Sequence, residues 1–257
     1  SSLSQLTPNS VDLIILTVKS YHLSSILTNH NLIHYLTPSG TILSLLNGLS
    51  PLHLLQSHFN SSNIHILAGV SRVYAEPHPI HNNTVTITNQ IHSIQLGPLH
   101  KNSTQSALQT AELLNHMDGV SVTYTDDVWN CVWRKIITVV PMGIVGAVTR
   151  CSLDIVMRDA RELFIDCIQE LVYVANNQQD NKVELNQNEL VQQVVSIADN
   201  ATINSTVSLQ RDIEAGNISE LDAQLGAVIR IAHKYNINAP VLYTIYRALL
   251  PEQLAAQ

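Results

Sequence analysis

The chain is short of charge, of aromatic side chains and of cysteine. Asp, Glu, Lys and Arg make up only 13% of its 257 residues against 45% hydrophobic. That balance excludes disorder, since such a chain buries enough apolar surface to offset its ordering entropy. The length suffices for a large core and for two domains. A net charge of -7 speaks against a nucleic-acid partner, because phosphate binding needs a basic face. The three cysteines, Cys131, Cys151 and Cys167, form no CxxC pair and no metal-ligand spacing. They read as reduced core residues of a cytoplasmic protein. No apolar run reaches the roughly 18 residues of a membrane helix. The longest, residues 136–149, carries Pro141, Gly143 and Gly146, so no membrane association is expected. The amino terminus shows no signal-peptide pattern. Histidine is frequent, with 12 copies, but without HExxH or a His pair beside a carboxylate, so it reads as polar surface and no metal is expected.

What is present divides near residue 125. Residues 11–18 form an almost continuous apolar run, as in a strand buried on both faces of a parallel sheet. A helix is expected around 23–35, a buried strand at 41–46 and a helix at 51–59. Strands at 64–74, 84–88 and 93–96 follow, then an amphipathic helix at 103–116 and a short strand at 120–124. Beyond Asp126 only helices are expected: 126–140, 159–176, 187–200, 205–215, 219–235 and 240–249. The last opens with Pro240 at an early helical position. The fold class is therefore α/β followed by all-α, with domains at 1–125 and 126–257.

The stretch SLQRDIEAGNISELDAQLGAVIR, from Ser208 to Arg230, is the most informative. Ser208 and Asp212 are four apart and share a helix face. Gly216 ends that helix. Ser219 opens the next, with Asp222 three residues on in a capping-box arrangement. Glu220 then sits in the first turn, where the helix dipole favours a carboxylate. Leu221, Leu225, Val228, Ile229 and Ala232 form the apolar stripe, and Glu220, Gln224 and Ala227 lie off it.

This stretch resembles the carboxyl-terminal signature of the ketopantoate reductase (2-dehydropantoate 2-reductase) family: a Ser-rich segment, an Asp, a Gly turn and a T/S-E-[IL]-[DE] helix start. Four further segments resemble the family in order. They are DLIILTVKSYH (12–22), TILSLLNGLS (41–50), HILAGVSRVYAE (65–76) and WNCVWRKI (129–136). The resemblance implies a Rossmann-like nucleotide domain followed by a helical domain, NADPH as cofactor, a small 2-keto acid as substrate, and compatibility with a homodimer. A dinucleotide fold opens on a strand and a G-x-G-x-x-G turn that cradles pyrophosphate. This sequence has none. Residues 11–18 match a later strand of the family, so the nucleotide domain is expected to be incomplete, lacking its first βαβ unit. Low or no turnover by these residues alone is the consequence. A domain that never bound a nucleotide is the alternative.

Reducing a 2-keto acid needs a hydride at the carbonyl carbon and a proton at its oxygen. Lys135 is the last charge before IITVVPMGIVGAV and is bordered by Cys131, Val132, Thr138 and Val139. Partial desolvation there favours a lowered pKa and proton donation, or the lysine simply snorkels to water. By resemblance it is the family's catalytic lysine. Glu220 matches the family's active-site glutamate, which meets both substrate and nicotinamide, and Ser208 a substrate-binding serine. Asp212 either orients Ser208 from the same helix face or is a salt-bridge partner of the neighbours of Arg211. Asn47, after a buried strand and before Gly48, lies at the sheet edge where ligands of open α/β sheets bind. Its family counterpart touches both cofactor and substrate. Lys19 ends the preceding strand at the same edge, and its counterpart lies near the cofactor. A plain turn and a surface charge are the bland readings of these two.

Two positions depart from the pattern. Characterised members carry asparagines four and eight residues after the lysine, where this chain has Val139 and Gly143. Neither side chain can hydrogen-bond a hydroxyl. A branch of the family shares the GIVGAVTR run, and the expected substrate becomes ketopantoate or a close branched analogue. A non-catalytic nucleotide-sensing homologue is the competing reading. Another hydroxyacid dehydrogenase is disfavoured by the order N-G, W-x-K, S-E-L-D.

Overall fold

The computed structural model describes residues 5–60, 62–73, 75–77, 84–87 and 92–256. Chain contacts form two compact units. The first comprises Ser1–Val18, Leu23–Leu46 and Leu52–Cys131, and the second Lys19–His22, Asn47–Pro51 and Val132–Gln257.

The first unit holds a sheet of β1 (Val11–Leu16), β2 (Leu36–Ser44), β3 (His65–Ser71), β6 (Ser93–Pro98) and β7 (Ser121–Tyr124), in the order β1-β2-β3-β6-β7. β1, β2 and β3 run parallel, β6 is antiparallel to β3, and β7 is parallel to β6. A separate pair, β4 (Ala75–Pro77) and β5 (Val85–Ile87), is antiparallel. β3 and the second half of β2 are buried because both strands have neighbours on each side. Leu43, Leu67 and Leu96 stack with Val122 and with Ala107, Ala111 and Leu114 of the helix α4 (Thr104–Asn115) in one cluster. β1 departs from the expected two-sided burial. It is the outer strand with a single neighbour, and Ile15 keeps 39% of its surface exposed. The expected helix at 23–35 is two helices, α1 (Leu23–Asn29) and α2 (Leu32–Tyr35), broken around His30 and Asn31. Helix α3 covers Ser50–His58.

The second unit is helical: α5 (Val128–Thr149, begun in the first unit), α6 (Leu153–Asp159), α7 (Arg161–Asn177), α8 (Gln187–Asp199), α9 (Ser208–Glu214), a π-helical turn at Asp222–Gly226 continuing into α10 (Ala227–Lys234), and α11 (Pro240–Ala255). α/β followed by all-α is therefore the architecture. α5 continues nine residues past its expected end at Val140, straight through Pro141. Proline costs an interior helix bond, but Val140, Ile144 and Val145 are fully buried and packing overrides the local penalty. This helix is long and apolar enough to cross a bilayer, and 67% of its most apolar window is buried inside the fold. α6, unforeseen in the sequence, is short and begins with Leu153, whose amide donates to Ser205 O.

Glycines set two close approaches on α5. A Cβ at Gly143 would stand 2.8 Å from Leu209 Cδ2, and one at Gly146 would overlap the Gln210 amide. Helix α9 thus crosses α5 there. Lys135 lies eleven residues before Gly146, which at 3.6 residues per turn returns it to nearly the same face, roughly 16 Å back along the axis.

Candidate functional site

The Ser208–Arg230 stretch builds the site in two steps. α9 ends in a Schellman closure: Asn217 N donates to Asp212 O and Gly216 N to Ile213 O, with Gly216 at φ 69°. The chain then enters the turn that carries Glu220. The expected capping box does not form. Ser219 Oγ accepts from Leu221 N at 3.2 Å, and both its amide and hydroxyl donate to Gln253 Oε1 of α11, at 2.8 and 2.6 Å. Asp222 turns away to Arg230 and Tyr246. Gln253 outcompetes the local cap because it satisfies the buried Ser219 amide and hydroxyl together. Gln224 and Ala227, off the apolar stripe, are buried as well.

Glu220 is only 5% exposed. A buried carboxylate is costly unless each oxygen finds donors. Oε1 accepts from Ser20 N at 3.0 Å and Oε2 from Asn47 Nδ2 at 3.1 Å. Asn47 is half-buried, and its remaining amide hydrogen and Oδ1 make no hydrogen bond among the described residues. The adjoining Gly48 sits at φ 89°, and a Cβ on it would collide with Ala223 O. Leu49 N reaches that carbonyl at 3.1 Å. Glycine is required there by backbone sign and by space.

Lys19 Nζ donates to Asp212 Oδ2 at 2.9 Å. Burial pulls the Lys19 pKa down, but the Asp212 hydrogen bond and the charges of Asp212 and Glu220 outweigh it, so the ammonium stays protonated above its ordinary value of 10.5. Asp212 is thus paired with Lys19, 193 residues away in sequence, and neither with Ser208 nor with a neighbour of Arg211. Ser208 begins α9 on the same face, is exposed, and its hydroxyl makes no hydrogen bond among the described residues. Lys135 is half-buried on α5. The structure thus brings Lys19, Asn47, Asp212 and Glu220 together within the second unit, with Ser20 as a member that the sequence did not flag. The Ser20 hydroxyl is buried and has no partner among the described residues. Gln253, on α11, carried no sequence signal, and Arg230, although it closes the Ser208–Arg230 stretch, carried none that marked a role there.

Asn47 and Lys19 offer neutral and cationic donors around one buried anion. No group of three His, Cys, Asp or Glu side chains converges among the described residues. The arrangement can orient a polar ligand between an amide, an ammonium and a carboxylate.

A sheet-containing unit followed by a helical unit is the fold of several solved reductases and of a dehydrogenase. A dimeric ketopantoate reductase from Staphylococcus aureus aligns with 99% of this chain and 81% of its own, at a TM-score of 0.80 and 19% identity. D-mandelate dehydrogenase in complex with NADH and anilino(oxo)acetate aligns with 96% and 77%, at 0.79 and 21%. The family models "Ketopantoate reductase PanE/ApbA" and "Ketopantoate reductase PanE/ApbA C terminal" match residues 3–101 and 127–253. The chain belongs to the ketopantoate reductase family. A 2-dehydropantoate 2-reductase of Streptococcus pyogenes is 27% identical over 234 residues, covering 89% of this chain and 72% of that protein.

Proposed function

We propose that this chain carries the substrate-side residues of an NADPH-dependent reductase that converts 2-dehydropantoate, or a close branched 2-keto acid, to the 2-hydroxy acid. The observation that carries the reading is the buried Glu220 carboxylate held by Asn47 and Ser20. The donor set fits a nicotinamide: Asn47 has unspent amide capacity, Lys19 is cationic and the Ser20 hydroxyl is unsatisfied among the described residues. When bound, the nicotinamide supplies the hydride. The choice of NADPH over NADH rests on the family.

Lys135 donates the proton to the carbonyl oxygen. Glu220 accepts from the substrate hydroxyl, and Asn47 and Ser208 orient the substrate. Asp212 holds Lys19 rather than Ser208. Leu209 fills the space beside Gly143, and Val139 carries no hydrogen-bonding group, which favours a substrate held less by its hydroxyl. D-mandelate dehydrogenase among the neighbours supports the same direction. A homodimer belongs to the reading, since the Staphylococcus aureus neighbour is dimeric.

The test measures NADPH oxidation and substrate binding by this chain with ketopantoate and with plain 2-keto acids, in wild type and Lys135→Ala. Binding with Lys135-dependent turnover supports the reading. Neither binding nor turnover of any 2-keto acid overturns it. Equal turnover of acids lacking the hydroxyl removes ketopantoate specificity and leaves the reaction class.

A further inference from the structure

The loop Asn47–Ser50 meets the segment Glu220–Arg230, which contains the π-helical turn Asp222–Gly226, at three points. Asn47 Nδ2 meets Glu220, Leu49 N meets Ala223 O, and Ser50 Oγ accepts from Arg230 Nη2 at 2.8 Å. Arg230 also grips Asp222, with Nη1 to Oδ1 at 2.7 Å, Nη2 to Oδ2 at 3.2 Å and Nη2 to Asp222 O at 3.2 Å. Tyr246 of α11 donates to the same Oδ1 at 2.8 Å. A guanidinium is suited to this because its planar fork spans two acceptors and still has a donor for a third. Gly226 makes the fold-back possible: a Cβ there would overlap Asp222 Oδ1 and stand 3.0 Å from the Tyr246 hydroxyl. The turn is π-helical, with Ala227 N bonded to Asp222 O. Such turns cost regular bonding and cluster at functional sites. This one leaves Ala223 O for the loop.

We propose that Arg230, Asp222 and Tyr246 are positioning residues: a clamp on the π-helical turn that grips Ser50 and thereby fixes the loop whose Asn47 hydrogen-bonds Glu220. The proposal deepens the reductase reading and rests on it only for the kinetic consequence. The three side chains touch no reacting atom. They set the distance between an amide and a carboxylate that must hold a ligand together, and a misplacement near 1 Å in such a pair is costly. An exposed arginine–aspartate pair is worth little to stability by itself, so its effect should be read at the site.

The experiment follows the Asn47 side-chain amide by 1H–15N NMR in the full chain. Glu220→Ala defines the resonance position with the bond lost. Arg230→Gln is expected to move the Asn47 amide more than halfway to that position, Arg230→Lys less, and Arg161→Gln, which breaks the Arg161–Asp199 pair elsewhere, not at all. Ser50→Ala removes only the cross-loop bond and serves if Arg230→Gln does not fold. An Asn47 amide unmoved in both Arg230→Gln and Ser50→Ala overturns the clamp. In the same variants kcat for 2-keto acid reduction should fall about tenfold with little change in KM, partly rescued in Arg230→Lys. A moved amide in a protein that neither binds nor reduces any 2-keto acid keeps the clamp and rejects the reductase reading.

Discussion

Glu220 and Asp222 stand two residues apart on one turn and are held in opposite ways. Glu220 is buried and faces neutral donors, an amide and a backbone N–H. Asp222 is at the surface and is answered by the Arg230 guanidinium and a tyrosine hydroxyl. With neutral donors on both oxygens, the Glu220 carboxylate is answered in charge by the nearby Lys19 ammonium, which is hydrogen-bonded to Asp212 instead. At Asp222 a guanidinium bonds the carboxylate directly and turns it into a fastener. The same turn therefore carries one carboxylate held by an amide and a backbone N–H and another tied to a guanidinium and a phenol hydroxyl.

Replacing Glu220 by Ala should break that contrast most. We expect kcat/KM for 2-keto acid reduction to fall about 100- to 1000-fold, as when a preorganised polar group is lost. A steady-state assay decides it, and a loss no larger than that of Asp222→Asn would erase the distinction. Next is Gly48→Ala, where positive φ and the Ala223 carbonyl both oppose a methyl group. About 2 kcal/mol of stability should be lost, measured by urea unfolding. Asp222→Asn should cost at most about 1 kcal/mol, the exposed-pair range, and that cost should depend on pH. Burial raises the Asp222 pKa, but Arg230 and Tyr246 lower it further, and the net is below 3.8. The stabilisation is therefore present above about pH 3.8 and lost as pH falls through the folded value. Wild type and variant should converge in acid, and a gap that persists there would refute the assignment.

The Lys19–Asp212 pair has the reverse sign. Its lysine is raised above 10.5, so its contribution is complete below that pH and disappears only as pH climbs through the folded value. Smallest is a spectroscopic effect. Burial first, then Asp222, pushes the Tyr246 hydroxyl up to about 12. Titration at 295 nm should lose one late-ionising phenol in Tyr246→Phe.

Much of this was legible in local sequence. The alternation of apolar runs and helical periods marked β2, β3 and α4, because burial on a sheet or a helix face imposes its own period. Gly216 marked the end of α9 because positive φ is cheap only for glycine. Glu220, Asn47 and Lys19 were legible through the ketopantoate reductase resemblance. The actual bonding of Ser219 was not: a capping box was expected there, but Gln253 lies 34 residues on and no local rule weighs such a partner. The run through Pro141 was misread for the same reason: a proline penalty is local, whereas the burial that overrides it comes from other helices.

Residue order alone determined an α/β part followed by helices, and which polar groups stand at strand ends. Those are consequences of periodicity and backbone sterics that act within a few residues. Only tertiary structure decided that Lys19–His22 and Asn47–Pro51 belong to the helical unit, that Asp212 takes Lys19 instead of Ser208, and that Glu220 is buried among neutral donors. A hydrogen bond goes to whichever donor the fold brings within about 3 Å, and that proximity is a property of the packed chain.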